Sequence, residues 1–262
     1  MKSMVLGAWR LRLTVLVVLL LAATLTACGR KGPVRPPLAA LPAAPTEARI
    51  DQQGDDFLLS WTIPERNEDG GAAQDLIGFH LYRMVYNAAD GCPTCRDPEE
   101  LVATIMLNRP EPAMRVAKRI YWRDSAVAAG TGHAYLIVPI TIGGHEGSGT
   151  GVHRGWQTPP PPPEALRAEA GEGQVQLAWQ APAVLPPGQT VLGYNLYRRR
   201  DPGSYPPVAL NVEPLKETAL VDRIGEAGRA AAYRVTTVVQ SGDQRLESAP
   251  AGEVSAVPQG GR

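Results

Sequence analysis

The residues in this sequence that are most capable of chemical reaction are two cysteines, Cys92 and Cys95, within the segment 90–96, DGCPTCR. A Cys-x-x-Cys pair can form a disulfide, exchange disulfides with other proteins, or supply two ligands to a zinc ion. Redox use favours a helix N-terminus in a βαβ context, and the surrounding sequence shows neither. A c-type haem needs His directly after the second cysteine, where Arg96 stands. A disulfide is therefore predicted, and a redox pair is the alternative.

Other reactive side chains lack the spacing of a site. The chain has four histidines, His80, His133, His145 and His153, and none lies at a paired ligand spacing, so we expect no metal site. No Gly-x-Ser-x-Gly segment and no glycine-rich phosphate loop is present, so no catalytic residue is predicted and the chain is not expected to be an enzyme. The chain has 26 basic and 26 acidic residues, and the basic residues form no continuous stripe. This distribution argues against a nucleic-acid partner.

A third cysteine, Cys28, ends a segment with the order of an export signal. Lys2, Arg10 and Arg12 precede an apolar run over residues 13–25, and small residues follow before Cys28. A basic start, an apolar stretch and a small-residue cleavage site are typical of secretory signals. The apolar run is shorter than the roughly 20 residues that a membrane-spanning helix needs. We therefore expect residues 1–27 to be removed.

The residues before this cysteine, LTAC at 25–28, resemble the lipobox of bacterial lipoproteins. The resemblance implies cleavage before Cys28 and a covalent lipid on its thiol as the only attached group, with no cofactor. Each buried methylene of such a lipid contributes about 0.8 kcal/mol to membrane binding. Gly29 stands where Asp would signal retention in the inner membrane, which implies a lipoprotein of the outer membrane, on its periplasmic or surface face. Export to an oxidising compartment also favours the disulfide between Cys92 and Cys95.

Residues 28–45 have no periodic apolar positions and are predicted to be an extended, flexible tether. Within them, CGRKGP at 28–33 and the later Pro36-Pro37 resemble the start of a small lipoprotein that helps mature the lipopolysaccharide translocon. That resemblance implies a shared role, and it covers the tether alone.

An internal repeat organises the remaining sequence. In the strongest matches, alternate residues are large and apolar, as a half-buried strand requires. The matching segments are 57–61 (FLLSW) and 175–179 (VQLAW), 77–83 (IGFHLYR) and 192–198 (LGYNLYR), and the Ala-Tyr pairs 134–135 and 232–233. Each Ala-Tyr pair begins an apolar run that leads to a glycine-containing turn and a last strand. Each half is thus predicted to end in a hairpin.

This order of landmarks resembles bacterial fibronectin type III modules. The resemblance implies an all-β fold of two tandem immunoglobulin-like β-sandwiches, over 46–157 and 164–258, before a short tail at 259–262. It places Trp61 and Trp179 in the two cores. It also makes Tyr135 and Tyr233 corner tyrosines, whose hydroxyls return to the backbone. The first half departs from the pattern between Met84 and Ile120.

Between the halves, residues 158–163 are one threonine and five prolines, which predicts a semi-rigid polyproline II spacer that holds the domains apart or limits their angle. The favoured function is a non-enzymatic, membrane-anchored interaction or spacer protein whose partner is a protein or an envelope polymer. One alternative is redox chemistry at Cys92 and Cys95. Another is carbohydrate binding, for which Trp122 and Trp156 are the available tryptophans.

Overall fold

The structure is a computed structural model that describes residues 40–200, 203–223 and 228–260. The predicted signal peptide, the lipid-bearing Cys28 and most of the tether lie outside the described residues. Within the described ranges, no helix has the length and apolar character needed to cross a membrane.

Fifteen strands make up the regular structure, and the first half of the chain contributes eight of them. These are β1 (Thr46–Gln53), β2 (Asp56–Thr62), β3 (Leu76–Asn87), β4 (Glu100–Met106), β5 (Met114–Val116), β6 (Arg119–Asp124), β7 (Thr131–Thr141) and β8 (Thr150–Gly155). The second half contributes β9 (Glu164–Gly171), β10 (Gln174–Gln180), β11 (Gln189–Arg200), β12 (Ala219–Asp222), β13 (Ala231–Ser241), β14 (Gln244–Glu247) and β15 (Val254–Ala256).

The first half is a sandwich of two sheets, with strand orders β1-β2-β6-β5 and β4-β3-β7-β8. Its core lies between the sheets and is built from alternate residues of the facing strands, as the two-residue period of a strand dictates. Trp61 is fully buried there, and its ring meets the edge of Phe79 at a centroid distance of 5.4 Å.

The second half repeats this arrangement, with β12-β10-β9 facing β11-β13 and the two short strands β14 and β15 beside β13. Trp179 is buried in a separate core and meets Tyr194 edge-on at 5.6 Å. The all-β prediction is confirmed, and the fold of each half is fibronectin type III-like.

Two equivalent glycines, Gly78 and Gly193, explain one feature of the repeat. A Cβ at Gly78 would lie 2.3 Å from the carbonyl oxygen of Ile105, and a Cβ at Gly193 would lie 2.3 Å from that of Leu215. Each glycine thus lets a neighbouring backbone pass against the third strand of its domain. The glycine before Phe or Tyr in the repeat motif is therefore a packing requirement.

Of the two expectations for the proline segment, separation of the domains is wrong, because the two sandwiches share a sheet, and a limited angle between them stays a prediction. Strand β1 pairs in parallel with β14, through Gln52 with Leu246 and Gln53 with Glu247. The amide of Gly54 continues the contact by donating to the carbonyl of Glu247 at 2.8 Å. The result is an eight-stranded sheet that runs through both domains.

Side chains reinforce the junction between the domains. Gln52, which is 1% exposed, accepts a hydrogen bond from the amide of Gln157 at 3.0 Å and donates to its carbonyl at 2.6 Å. Arg154 donates to the carbonyls of Ile50 at 3.2 Å and Arg245 at 2.8 Å. These contacts fix the chain just before it enters the proline segment.

Between Met84 and Ile120, where the repeat pattern fails, the structure places two strands. Strand β4 lies at the edge of its sheet beside β3, and β5 forms the outer edge of the eight-stranded sheet. The residues between β3 and β4 carry the cysteine pair and cross over β3, where the Arg96 guanidinium contacts the sulfur of Met84 at 2.9 Å. The extra residues of the first half are thus a long connection and a short edge strand.

Candidate functional site: an interdomain groove

The cysteine pair lies in an exposed connection. The sulfur atoms of Cys92 and Cys95 are bonded at 2.05 Å, and both residues are exposed. No helix precedes or follows either cysteine in the described chain, so no helix terminus is available to activate a thiol. The geometry is that of a surface disulfide.

The four histidines are dispersed. His80 contacts Glu146 at 2.6 Å on the outer face of β3, His133 is buried, and His145 and His153 are exposed. Among residues 40–200, 203–223 and 228–260, no group of three or more His, Cys, Asp or Glu side chains could hold a metal ion.

A buried cluster of ionisable groups lies in the first domain. The Tyr135 hydroxyl donates to Asp124 at 2.6 Å, and Arg83 donates to the same carboxylate oxygen at 3.1 Å. Burial alone would raise the pKa of Asp124, but the nearby His133 and the hydrogen bonds from Tyr135, the Ala126 amide and Arg83 outweigh it and hold that pKa well below its usual range. Burial and the neighbouring Asp124 carboxylate raise the pKa of Tyr135.

The second domain repeats this cluster. The Tyr233 hydroxyl donates to Asp222 at 2.8 Å, and Arg198 donates to both oxygens of Asp222 at 2.8 and 2.7 Å. The family resemblance implied that the corner tyrosines bond to the backbone, and the structure corrects this for Tyr135 and Tyr233, because each hydroxyl donates to a carboxylate. The Arg of the repeated Leu-Tyr-Arg segment and an Asp eleven residues before the tyrosine are the sequence signals of this pairing.

The first cluster is not placed to act on a substrate. Asp124 is 4% exposed, His133 1% and Tyr135 fully buried, so no molecule can reach them without opening the core. The Arg-Asp-Tyr clusters therefore stabilise the sandwiches. Trp61 and Trp179 are equally enclosed.

A concave surface lies over the sheet that joins the domains. A cleft of about 740 Å³ and a second of about 570 Å³ adjoin there. They share the lining residues Gln53, Leu58, Tyr121, Tyr197, Pro207 and Glu247. Because these six side chains belong to both, the two clefts form one continuous depression, which we call the interdomain groove.

The floor of the groove consists of outward-facing residues of the shared sheet. Leu58 lies between Phe57 and Leu59, which face the first core, so it projects to the opposite face. It is nevertheless 7% exposed, since the groove walls cover it. Tyr121 projects from the paired strand β6 in the same way and is half-buried. The groove thus has an apolar and aromatic floor.

A hydrogen-bond network crosses the floor from one domain to the other. The carboxylate of Glu247 accepts from the Tyr197 hydroxyl at 2.7 Å, from Thr236 at 2.5 Å and from Gln53 at 3.2 Å. Gln53 in turn accepts from Arg123 at 2.6 Å. Burial first, and then the Glu247 charge, raise the pKa of Tyr197. The network therefore links the Glu247 carboxylate of the second domain to Gln53 and Arg123 of the first, and it holds the two halves of the floor together.

One wall of the groove is the segment 205–212, which follows β11. Its first residue, Tyr205, lies under the Arg234 guanidinium at 4.4 Å from the ring centroid and donates to Glu253 at 3.0 Å. Burial and the bond to Glu253 raise the pKa of Tyr205 to about 12. Asn211 closes the segment onto β11 by accepting from the amide of Leu196 at 2.9 Å. Pro112 and Met114 form the opposite wall.

The sequence did not predict this groove, because its residues come from seven strands and several connecting segments of two domains. A partial signal is Leu58, an apolar residue at a position that alternation assigns to the polar face. The pairing of β1 with β14, which joins the two domains beneath the groove, has no comparable signal in the sequence.

Comparisons with known proteins find no matching family model and no matching curated protein. Among solved structures, the chain is similar to the crystal structure of the FN1–FN3 domains of chicken CNTN1. The two are 12% identical with a TM-score of 0.32, over 84% of this chain and 69% of that chain. A likeness this distant carries no information about function.

Proposed function

We propose that this chain is a non-catalytic lipoprotein of the bacterial cell envelope, anchored through lipid on Cys28, whose interdomain groove binds a protein partner. The observation that carries the proposal is the groove itself, with its buried Leu58 on a floor shared by two domains. Concave surfaces with an apolar floor and a few fixed polar groups are the usual places where partners bind.

The anchor rests on the order of features at the N-terminus. The basic start, the apolar run and the small residues before Cys28 support export and lipidation. Replacing Cys28 with Ala should move the protein from the membrane fraction to the soluble fraction of the cell envelope. A Cys28→Ala protein that stays in the membrane fraction after a high-salt wash would contradict the proposed anchor.

A protein partner fits the groove better than a carbohydrate does. Sugar-binding surfaces commonly present flat aromatic faces, and Trp122 is 7% exposed and packs in the first core, while Trp156 packs against the same core. Two of the groove tyrosines are already engaged, Tyr197 by a hydrogen bond to Glu247 and Tyr205 by the Arg234 guanidinium. Neither cysteine lines the groove.

The proposal is tested by placing a photoreactive benzophenone side chain at Met114 or Tyr121 and irradiating intact cells. Covalent adducts that are sensitive to protease should form from these groove positions. The control is the same side chain at Ile142, which is 78% exposed and lies outside the groove. Adducts from Ile142 but not from Met114 and Tyr121 would reject the groove as the binding surface.

A further inference from the structure

The interdomain groove carries unlike charge at its two ends. The end in the larger cleft contains Asp55 and Asp56, and the end in the smaller cleft contains Arg49, Arg119 and Arg245. The charges that remain after local pairing decide what each end can attract.

At the larger cleft, Arg123 pairs with Asp56 at 3.2 Å, and Arg234 lies over Tyr205 near Glu253. Asp55 is exposed and has no charged partner within the described residues. This end is left with one free carboxylate.

At the smaller cleft, Arg119 is neutralised by Glu47 at 2.7 Å. Asp51 also lines this end of the groove. Its negative charge, together with that of Asp243, stabilises the charged form of the half-buried Arg154. Arg49 and Arg245 project into solvent from β1 and β14, and in the described parts of the chain no carboxylate lies within ion-pair distance of either. This end therefore has an excess of positive charge.

The shape of the groove favours an extended occupant. Its two clefts adjoin along the outer face of one sheet, and the segment 205–212 borders both of them. The exposed side chains of that wall are apolar, with Val208 44% exposed and Val212 95%. A chain in extended conformation places alternate side chains on one face, and such a face could follow this wall and cover Leu58.

We propose that the groove binds an extended polypeptide segment whose acidic side chains lie against Arg49 and Arg245, with apolar side chains over Leu58 and Tyr121. This inference rests on the proposed function and specifies the chemistry of the partner. Two free arginines at the rim suit one or two carboxylates, and they are too few for a nucleic-acid backbone, which needs a longer basic track.

The test uses the full-length protein and two pools of fluorescein-labelled peptides. Both pools have ten residues with a central Val-Thr-Val-Pro core and random flanking residues, and they differ only at one end, which is Asp-Glu in one pool and Lys-Arg in the other. Fluorescence anisotropy at low salt measures binding. We expect the acidic pool to bind about tenfold more tightly, with the difference shrinking as ionic strength rises.

The decisive variant is Arg49→Glu with Arg245→Glu, which should reverse the preference towards the basic pool. Its matched control is Arg109→Glu with Arg167→Glu, which makes the same change in net charge at two exposed positions outside the groove and should keep the preference of the native protein. Urea unfolding of both variants checks that the fold is retained.

Equal binding of both pools, binding of neither pool, or an unchanged preference in Arg49→Glu with Arg245→Glu would overturn the acidic-segment proposal. If photo-crosslinks from Met114 and Tyr121 still form in cells, the groove remains a protein-binding surface and only the stated chemistry of its partner is rejected. Loss of both results would reject the proposed function as well.

Discussion

The two domains repeat one strand order but differ in what lies beside their third strand. In the first domain, β4 pairs with β3 from Gly78 to Arg83. In the second, the equivalent edge of β11 is met by an irregular segment, through reciprocal bonds between Tyr194 and Leu215 at 2.9 Å and a bond from Leu210 to Leu196 at 2.7 Å. The part of the second domain that does not form a strand is the part that supplies the groove wall. Divergence between the repeats is therefore what produces this wall of the groove.

The domains also differ around their shared Arg-Asp-Tyr clusters. The side chain of Asp124 is 4% exposed and that of Asp222 is 12% exposed. His133 lies beside Asp124, with Nδ1 at 3.7 Å, whereas Ala231 holds the matching position two residues before Tyr233. The first cluster is deeper and has more partners, so its loss should cost more.

The largest effect is expected from Asp124→Asn. Removing the charge of this buried carboxylate gives Tyr135 and the Ala126 amide a weaker acceptor and leaves Arg83 with only the exposed Glu100 as an ionic partner. The change should lower the free energy of unfolding by about 3–5 kcal/mol. The equivalent Asp222→Asn should cost about 1–2 kcal/mol, because water reaches that cluster and screens it. Urea unfolding, with hydrogen exchange to assign each domain, measures both. Equal losses would remove the distinction between the two clusters.

Acid should unfold the protein through the same group. Because the pKa of Asp124 is lower in the folded state than in the unfolded state, the unfolded chain binds the proton first as pH falls. The stability that Asp124 contributes is thus complete above its ordinary pKa of about 4 and is lost progressively below it. The free energy of unfolding should therefore fall between pH 5 and pH 2, roughly, and Asp124→Asn should flatten that slope. An unchanged slope in this variant would contradict the assignment.

A pair of equivalent turns tests the junction between the domains. Gly54 follows β1 with φ of 60° and Gly173 follows β9 with φ of 61°, so alanine at either position suffers the same left-handed strain. A Cβ at Gly54 would also lie 3.1 Å from the backbone nitrogen of Ala249, whereas one at Gly173 meets nothing within 4 Å. Gly54→Ala should cost about 2–4 kcal/mol and Gly173→Ala about 1–2 kcal/mol.

Small-angle scattering adds a second readout for this pair. Gly54→Ala should loosen the pairing of β1 with β14 and increase the radius of gyration, while Gly173→Ala should leave it unchanged. Identical scattering and identical stability in the two variants would show that the junction does not depend on this turn.

The smallest effect is expected from Cys92→Ser with Cys95→Ser. The second domain has no equivalent disulfide in its described residues, and the loop that this one closes is so short that its contribution to the free energy of unfolding is at most about 2 kcal/mol. Thermal unfolding with and without a reducing agent measures it. A loss as large as that of Asp124→Asn would give the cysteine pair a central structural role.

Much of the fold follows from local pattern. Alternation around Trp61 and Trp179 predicts the central strands, because a strand buried on one face must place every second side chain inward. The close approach at Gly78 and Gly193 and the Arg-Asp-Tyr clusters repeat in the sequence, so they could be found by aligning the two halves. The family resemblance gives the wrong acceptor for the corner tyrosines, whereas the repeat itself pairs each tyrosine with an aspartate eleven residues earlier.

The groove could not be predicted in the same way. It depends on the parallel contact of Gln52 and Gln53 with Leu246 and Glu247, residues almost 200 positions away in sequence. Edge strands can pair with any strand of compatible shape, so pattern alone does not choose the partner. The five prolines indicated separation of the domains, and that local preference was overridden by the shared sheet.

The pairing of β1 with β14 means that the domains are joined at two places, by the covalent proline segment and by the shared sheet. The proline segment is attached to both domains, but it does not set the angle between them. Residues inserted among the prolines should therefore lengthen this segment without reorienting the second domain. Cleavage of the segment by a protease should leave the two domains associated.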